Sequence, residues 1–380
     1  MSALDNNSKG KIFATCVTLH DYRQAFSRQC HKLGVRSFIQ NGVRPSLIPL
    51  LINYFQGRSC RIKWRGLLSG KRLLPGSGAQ GSVLGNWEYL SQTNNNADHI
   101  PEEDRWKWVD DLTTVEIVDL ITVGLSSYNF RNHVASDIPV HGQYVDSKNL
   151  KTQEYITTLD TWSEDHKMKL NEKKTKIMLI NFTNKYQFTT RIKLKNTNID
   201  QVKEAKILGT IISDDLLWNK NCENIVKKCN ARMQLLRVVA SFGTSKEIMK
   251  IIYLQIIRVI LEGSCQVWDG GLSRKNIKSL ERVQKQCLRI ISPNIKYKEA
   301  LKQLDLVDLQ TRRTELTKRF AKLNQNDGKL AKFFEKNNKV HNMKTRNTRK
   351  YNIKGNTKRF LNSPVLHMKR LINNIMQKQE

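Results

Sequence analysis

The chain has 380 residues, enough for two or three packed units. Lysine and arginine number 65 against 34 aspartates and glutamates, a formal net charge of +31, so a polyanion is the expected partner: nucleic acid or an anionic membrane face. No apolar run approaches the ~20 residues that cross a bilayer, Met1–Lys11 is polar, and the scattered cysteines and histidines lack metal-ligand spacing; these features exclude a membrane-spanning protein, a secreted disulfide framework and a zinc domain, and predict reduced thiols in a nuclear or cytoplasmic protein.

In chain order, residues 12–19 form a short apolar, β-branched run that predicts a buried strand, with Asp21 directly after it. Arg44–Phe55 has helical apolar spacing with Pro45 in a plausible first turn. Ser59–Trp64 alternates like a strand. Gly66–Gly85 is rich in glycine, and Asn86–Glu103 reads as a polar stretch with an asparagine-rich loop. Trp106, Trp108 and Val109, then Leu112, Thr113, Thr114, Val115 and Ile117, predict a hairpin over about 106–118 with Asp110 and Asp111 at its tip. Residues 124–150 carry few apolar anchors and read as a loop. A helix is predicted over 152–166, a strand over 176–182, and two short strands around Gly209 before Trp218. Beyond that the periodicity is helical. Ile225, Met233, Leu235 and Leu236 mark one helix. Ile248, Ile251, Ile252, Leu254, Ile257 and Ile260 mark a second, and Ile277, Leu280, Val283, Cys287, Leu288 and Ile291 a third. From Thr311 to Glu380 there are 19 lysines and arginines against 4 acids, which reads either as a solvated, partly disordered tail or as an arm that contacts phosphates, two compatible readings.

Adjacent carboxylates repel, and a fold that holds them together usually supplies a cation; nucleotidyl transfer needs such groups to converge from different elements on a pair of divalent ions. Asp21 is placed to be the third carboxylate. If the chain turns into a helix after Asp21, Phe26, five residues on, can lie beside the sugar of a bound nucleotide, where an aromatic ring leaves no room for a 2′-hydroxyl. Gly78–Gly85 offers glycines for close backbone approach and Gln80 as donor and acceptor, without the lysine of a phosphate-gripping loop.

The order Asp21 with Ala25-Phe26, then Gln80-Gly81-Ser82, then Val109-Asp110-Asp111 resembles the reverse transcriptases of non-LTR (LINE-type) retrotransposons. The likeness extends through Met168–Asn171 with Lys174-Thr175-Lys176 (the fourth palm motif), Leu208-Gly209 through Trp218 (the primer-grip region) and Leu280–Gln284 (the thumb). It implies an α+β fold, a right-hand polymerase palm of antiparallel sheet and packed helices followed by a helical thumb. The expected layout is a disordered N-terminus at 1–10, a palm lacking fingers at 11–218, a thumb at 219–325 and a basic tail at 326–380.

The resemblance further implies RNA-directed DNA polymerisation with Mg²⁺ (or Mn²⁺) held by Asp21, Asp110 and Asp111. RNA template, DNA primer and dNTP would be the partners, with no membrane. Gln80 and Gly81 would contact the nucleotide, Phe26 would gate its sugar, and Lys174, in competition with Lys176, would sit near the triphosphate. The chain departs from the family pattern at Ser27 (for Asp), Ala79 (for Pro) and Trp108 (for Tyr or Phe). The stretch between Gly85 and Trp106 reads as shortened by roughly a helix, and fingers and endonuclease have no counterpart upstream, so a truncated element is expected. The alternative is a catalytically inactive retroelement remnant that binds nucleic acid; a group II intron maturase is a more distant third.

Overall fold

The computed structural model describes residues 13–74, 76–78, 82–119, 143–145, 150–181, 188–326, 330–334, 351, 353 and 358–376. The expected disorder at 1–10, most of the 124–150 loop, and Ala79, Gln80 and Gly81 lie outside the described residues. The chain forms two compact units, one within Lys11–Lys203 and one over Glu204–Glu380.

The first unit is built on a five-stranded sheet. Its strands, with the short pieces between them, are β1 (Phe13–His20), β2 (Ser59–Cys60), β3 (Lys63–Trp64), β4 (Leu67–Leu68), β5 (Arg72–Leu73), β6 (Arg105–Trp108), β7 (Asp111–Asp119), β8 (Gln143–Val145), β9 (Lys176–Asn181), β10 (Phe188–Thr190), β11 (Lys193–Leu194), β12 (Thr197–Asn198) and β13 (Asp200–Gln201). The main sheet runs β13-β9-β1-β7-β6, antiparallel except where β13 joins β9. Residues of β1 alternate between faces. Ala14, Cys16, Thr18 and His20 point into the core, where Leu112 and Val118 of β7 and Ile177 and Leu179 of β9 meet Tyr155, Ile156 and Leu159 of the helix Lys151–Asp165.

That helix has no side-chain cap of its own. Glu116, buried on β7, reaches across to accept from the backbone N of Lys151 (3.0 Å) and Thr152 (2.8 Å) and from the Thr152 hydroxyl (2.6 Å). One carboxylate thereby satisfies two of the helix's free N–H groups and sits at the positive end of its dipole.

The stretch after Gly85 is not short of a helix. A helix spans Val83–Thr93, capped by the Ser82 hydroxyl accepting from Gly85 N at 3.0 Å. Its buried positions, Gly85, Glu88, Tyr89, Gln92 and Thr93, follow helical spacing but are mostly polar, and this composition disguises the helix as a loop. Ser59–Trp64 is likewise not one strand. It forms one side of an exposed ribbon, β2 against β5 and β3 against β4.

The second unit opens with the hairpin β14 (Glu204–Ile207) and β15 (Thr210–Ser213), the two strands expected around Gly209. Helices follow at Asn219–Ser241, Lys246–Ile252, Arg274–Ile291 and Leu309–Asn324. Their core contains Cys229, Met233, Leu236, Trp268, Leu280, Val283 and Cys287. The second helix runs through a π-helical segment, Tyr253–Arg258, into Val259–Glu262. Of the expected apolar stripe, Ile257 is buried in the core and Ile252, Leu254 and Ile260 pack against it. Ile248 (51%) and Ile251 (55%) are exposed, as is Leu235 (42%) on the preceding helix, while Met249, Tyr253, Ile257 and Leu261 face the core. Every fourth residue of an α-helix advances by ~40° beyond a full turn. The wider π turns offset that drift and keep the four on one side. Within the expected tail, the helix Pro364–Met376 supplies Met368 and Ile372 to a small cluster with Ala321, Phe334 and Tyr351.

Candidate active site

The β1–β7 register runs from Phe13↔Asp119 to His20↔Leu112. One step further sets Asp21 opposite Asp111. Directly opposed residues of an antiparallel pair project from the same face, so these two carboxylates share a surface although ninety residues of sequence part them. On its other side Asp111 pairs with Trp108, which leaves Val109 and Asp110 as a two-residue turn. Val109 has φ 56°, a left-handed conformation that strains a β-branched residue. The strain lies at the point where the two aspartates are presented.

The Asp111 carboxyl is pushed above the usual range, first by partial burial and then by the charges of Asp110 and Asp21. The three acids thus form one patch of negative potential. Among the described residues, no three His, Cys, Asp or Glu side chains stand close enough to hold a metal ion by themselves. The donor chemistry, hard carboxylate oxygens on one open face, fits a magnesium-like ion, which commonly takes one or two carboxylates and fills its shell with water and substrate phosphate.

Asp21 is held by the segment before β9. Tyr22 bridges Leu170, Asn171 N donates to the Asp21 carbonyl (2.7 Å), and Asn171 Nδ2 donates to Asp21 Oδ2 (3.0 Å). Lys174 Nζ lies 4.0 Å from the same oxygen, on a side chain 71% exposed. Its competitor Lys176 is engaged elsewhere, 2.6 Å from Asp200 Oδ2. Of the two lysines, only Lys174 is brought to the acids. Beneath Asp21, His20 is buried and shares a 3.0 Å hydrogen bond with the Thr114 hydroxyl; burial drives its pKa down to about 3 and keeps the ring neutral.

After Asp21 the chain does not enter an α-helix. It turns through Gln24 (φ 51°) into a 3₁₀ turn, Phe26–Arg28. Phe26 is half-buried, its ring centroid 4.8 Å from that of Tyr89. Sequence reading does not single out Tyr89, and it names Asn171 only as the end of a motif, without a role of its own. The Tyr89 hydroxyl is buried without a hydrogen-bond partner among the described residues, and burial together with Tyr22 and the three aspartates raises its pKa. The glycine-rich loop is tied down at both ends. Gly78 N donates to Phe26 O (2.7 Å), Ser77 N donates to Gln29 O (2.9 Å), and Ser82 caps the next helix. A Cβ on Gly76 would meet Gln29 O at 2.5 Å, so the backbone approach there requires glycine.

The first unit thus presents two adjacent aspartates at a hairpin turn and a third just past the end of the neighbouring strand of a largely antiparallel sheet, and the second unit is mainly helical. No protein-family model matches the chain. It is 24% identical over 281 residues to the probable RNA-directed DNA polymerase from transposon BS of Drosophila melanogaster, covering 72% of this chain and 28% of that protein. It is 22% identical over 277 residues to the probable RNA-directed DNA polymerase from transposon X-element of the same organism, again 72% of this chain and 28% of the relative. A solved structure of apo telomerase from Candida tropicalis aligns over 83% of this chain and 48% of that one, with TM-score 0.39 and 11% identity. The chain is similar to these two proteins, named as probable RNA-directed DNA polymerases of Drosophila transposons, and spans 28% of the length of each.

Proposed function

We propose that the chain carries the nucleotidyl-transfer site of an RNA-directed DNA polymerase, which extends a DNA primer on an RNA template. The observation that carries this reading is the β1–β7 register, which ends at His20↔Leu112 and so brings Asp21, the residue after β1, to the Asp111 end of β7, with Asp110 on the strained turn beside it. Asp21 and Asp110, with Asp111, would hold Mg²⁺ or Mn²⁺, whose bound form activates a primer 3′-hydroxyl and stabilises the leaving pyrophosphate.

The protein's own part is placement. Asn171 fixes the Asp21 carboxylate by its side chain and the Asp21 backbone by its own N–H. Lys174 brings a proton donor to the edge of the acid patch, suited to pyrophosphate departure. Phe26, braced on Tyr89, limits the room beside the sugar and favours a deoxynucleotide. Gln80 and Gly81, in a stretch that resembles the nucleotide-contacting block of these polymerases, would touch the incoming nucleotide.

The test is dNTP incorporation on a primed RNA template with Mg²⁺ or Mn²⁺, run beside Asp110→Ala. Incorporation that the variant loses supports the polymerase. Salt-sensitive binding of the primed template without incorporation supports the inactive remnant. Absence of both removes the reading.

A further inference from the structure

Between Asp21 and Glu88 the sequence contains no acidic residue and eleven lysines and arginines. Five of these, Arg61, Lys63, Arg65, Lys71 and Arg72, lie on the ribbon β2–β5, and every residue from Ser59 to Leu73 is exposed. None of the five forms an ion pair among the described residues. The ribbon closes on Arg65 (φ 46°) and Gly66 (φ 86°), two left-handed residues of the kind that give a two-residue hairpin the twist of its strands. Ser69 N donates to Ile62 O (2.9 Å) and its hydroxyl accepts from Ile62 N (2.9 Å), which carries the pairing past the extra residue between Leu68 and Arg72.

Large apolar side chains alternate with these cations and are equally exposed. Trp64 (71%) opposes Leu67 (76%), and Lys63 opposes Leu68. The Arg65 guanidinium lies 5.9 Å from the Trp64 ring centroid. Burial of a core does not explain this ribbon, because it buries nothing. A wholly apolar partner does not explain it either, because five uncompensated cations would lose their hydration there. A strand of phosphates with unpaired bases satisfies both halves: the cations release counterions from the backbone, and an open indole face stacks a base regardless of its identity.

We propose that the ribbon Ser59–Leu73 is a binding arm for single-stranded nucleic acid, with Arg61, Lys63, Arg65, Lys71 and Arg72 on the phosphates and Trp64 as the stacking platform. The arm shares its substrate class with the proposed polymerase but none of its chemistry, so the two stand or fall separately: the arm is read by binding without dNTP or metal, the aspartates by incorporation.

The experiment uses the full chain, a labelled single-stranded oligoribonucleotide and fluorescence anisotropy over a range of salt. Combining Arg61→Ser, Lys63→Ser, Arg65→Ser, Lys71→Ser and Arg72→Ser is expected to flatten the slope of log K against log salt by ~0.7 for each phosphate that is no longer neutralised. Trp64→Ala is expected to weaken single-strand binding by roughly five- to a hundredfold with little change in slope, while Trp64→Phe restores most of it. Binding to fully paired RNA should be indifferent to Trp64→Ala. The proposal is overturned if the slope is unchanged in the five-residue variant, or if Trp64→Ala binds the single strand as the parent does. It is also overturned if the five-residue variant loses affinity for phosphatidylserine vesicles while binding RNA normally.

Discussion

Asn171→Ala separates positioning from chemistry at the proposed site. The substitution removes the 3.0 Å donation from Asn171 Nδ2 to Asp21 Oδ2 and leaves the 2.7 Å backbone bond from Asn171 N to Asp21 O. A hydrogen bond to a charged group contributes ~1.5–3 kcal/mol, but the Asp21 side chain is 38% exposed and water replaces part of the loss. About 1 kcal/mol remains, a roughly five- to tenfold fall in kcat/KM for dNTP incorporation. Single-turnover primer extension measures it. The expected pattern is a reduced rate at saturating dNTP with primer–template affinity unchanged, whereas Asp21→Asn abolishes incorporation. The reasoning is refuted if Asn171→Ala extends primers at the parental rate while Asp21→Asn does not, since the side-chain clamp would then contribute nothing.

Four further outcomes follow from the packing. Glu116→Ala leaves the N–H groups of Lys151 and Thr152 and the Thr152 hydroxyl without their acceptor; urea unfolding should show a loss of ~2–3 kcal/mol, and roughly half that for Glu116→Gln, which keeps one acceptor oxygen. Glu88 is fully buried, neither oxygen has a hydrogen-bond partner among the described residues, and burial raises its pKa from 4.5 to about 7 despite Arg58. The native state therefore keeps a proton that the unfolded chain releases, so stability falls as pH rises from about 4.5 to 7. Glu88→Gln should remove that fall and add on the order of 2 kcal/mol at pH 8, read from urea midpoints at both ends of the window. Arg313, fully buried, donates to Asp269 at 2.7 Å; Asp269→Ala should destabilise the second unit by ~3–5 kcal/mol in thermal unfolding, and pairing it with Arg313→Met should recover most of the loss. All seven cysteines are free, but only Cys60 is exposed and Cys30 half-buried; a thiol reagent should modify Cys60 quickly, Cys30 slowly and the other five only on unfolding.

Much of the first unit was legible because its signals are local. The β-branched run before Asp21 and the alternation on both sides of Asp110-Asp111 each specify a strand, and a two-residue tip between them leaves little freedom in how they pair. The antiparallel sheet with packed helices follows the pattern the sequence implied. The Val83–Thr93 helix was hidden because its buried face carries Glu88, Gln92 and Thr93, which periodicity arguments count as solvent-facing. Its Ser82 cap was the available signal. Over 248–260, Ile252, Leu254, Ile257 and Ile260 pack on the core as expected, whereas Ile248 and Ile251 are exposed. The buried spacing of four through Met249, Tyr253, Ile257 and Leu261 passes through a π-helical segment that nothing in Tyr253–Arg258 announces. Asn171 escaped as a positioning residue because its role depends on a contact 150 residues away in sequence. No helix among the described residues is long and apolar enough to cross a membrane, in keeping with the hydropathy of the chain.

The central claim is that carboxylates from two strands and their turn act on shared ions. Mn²⁺ binding followed by electron paramagnetic resonance, with dNTP present, tests it most directly. The account predicts that Asp21→Asn and Asp110→Asn each remove the protein-bound manganese signal, although the two residues belong to different elements. Retention of the full signal in Asp21→Asn would contradict it, because the carboxylate that follows β1 would then have no part in the site.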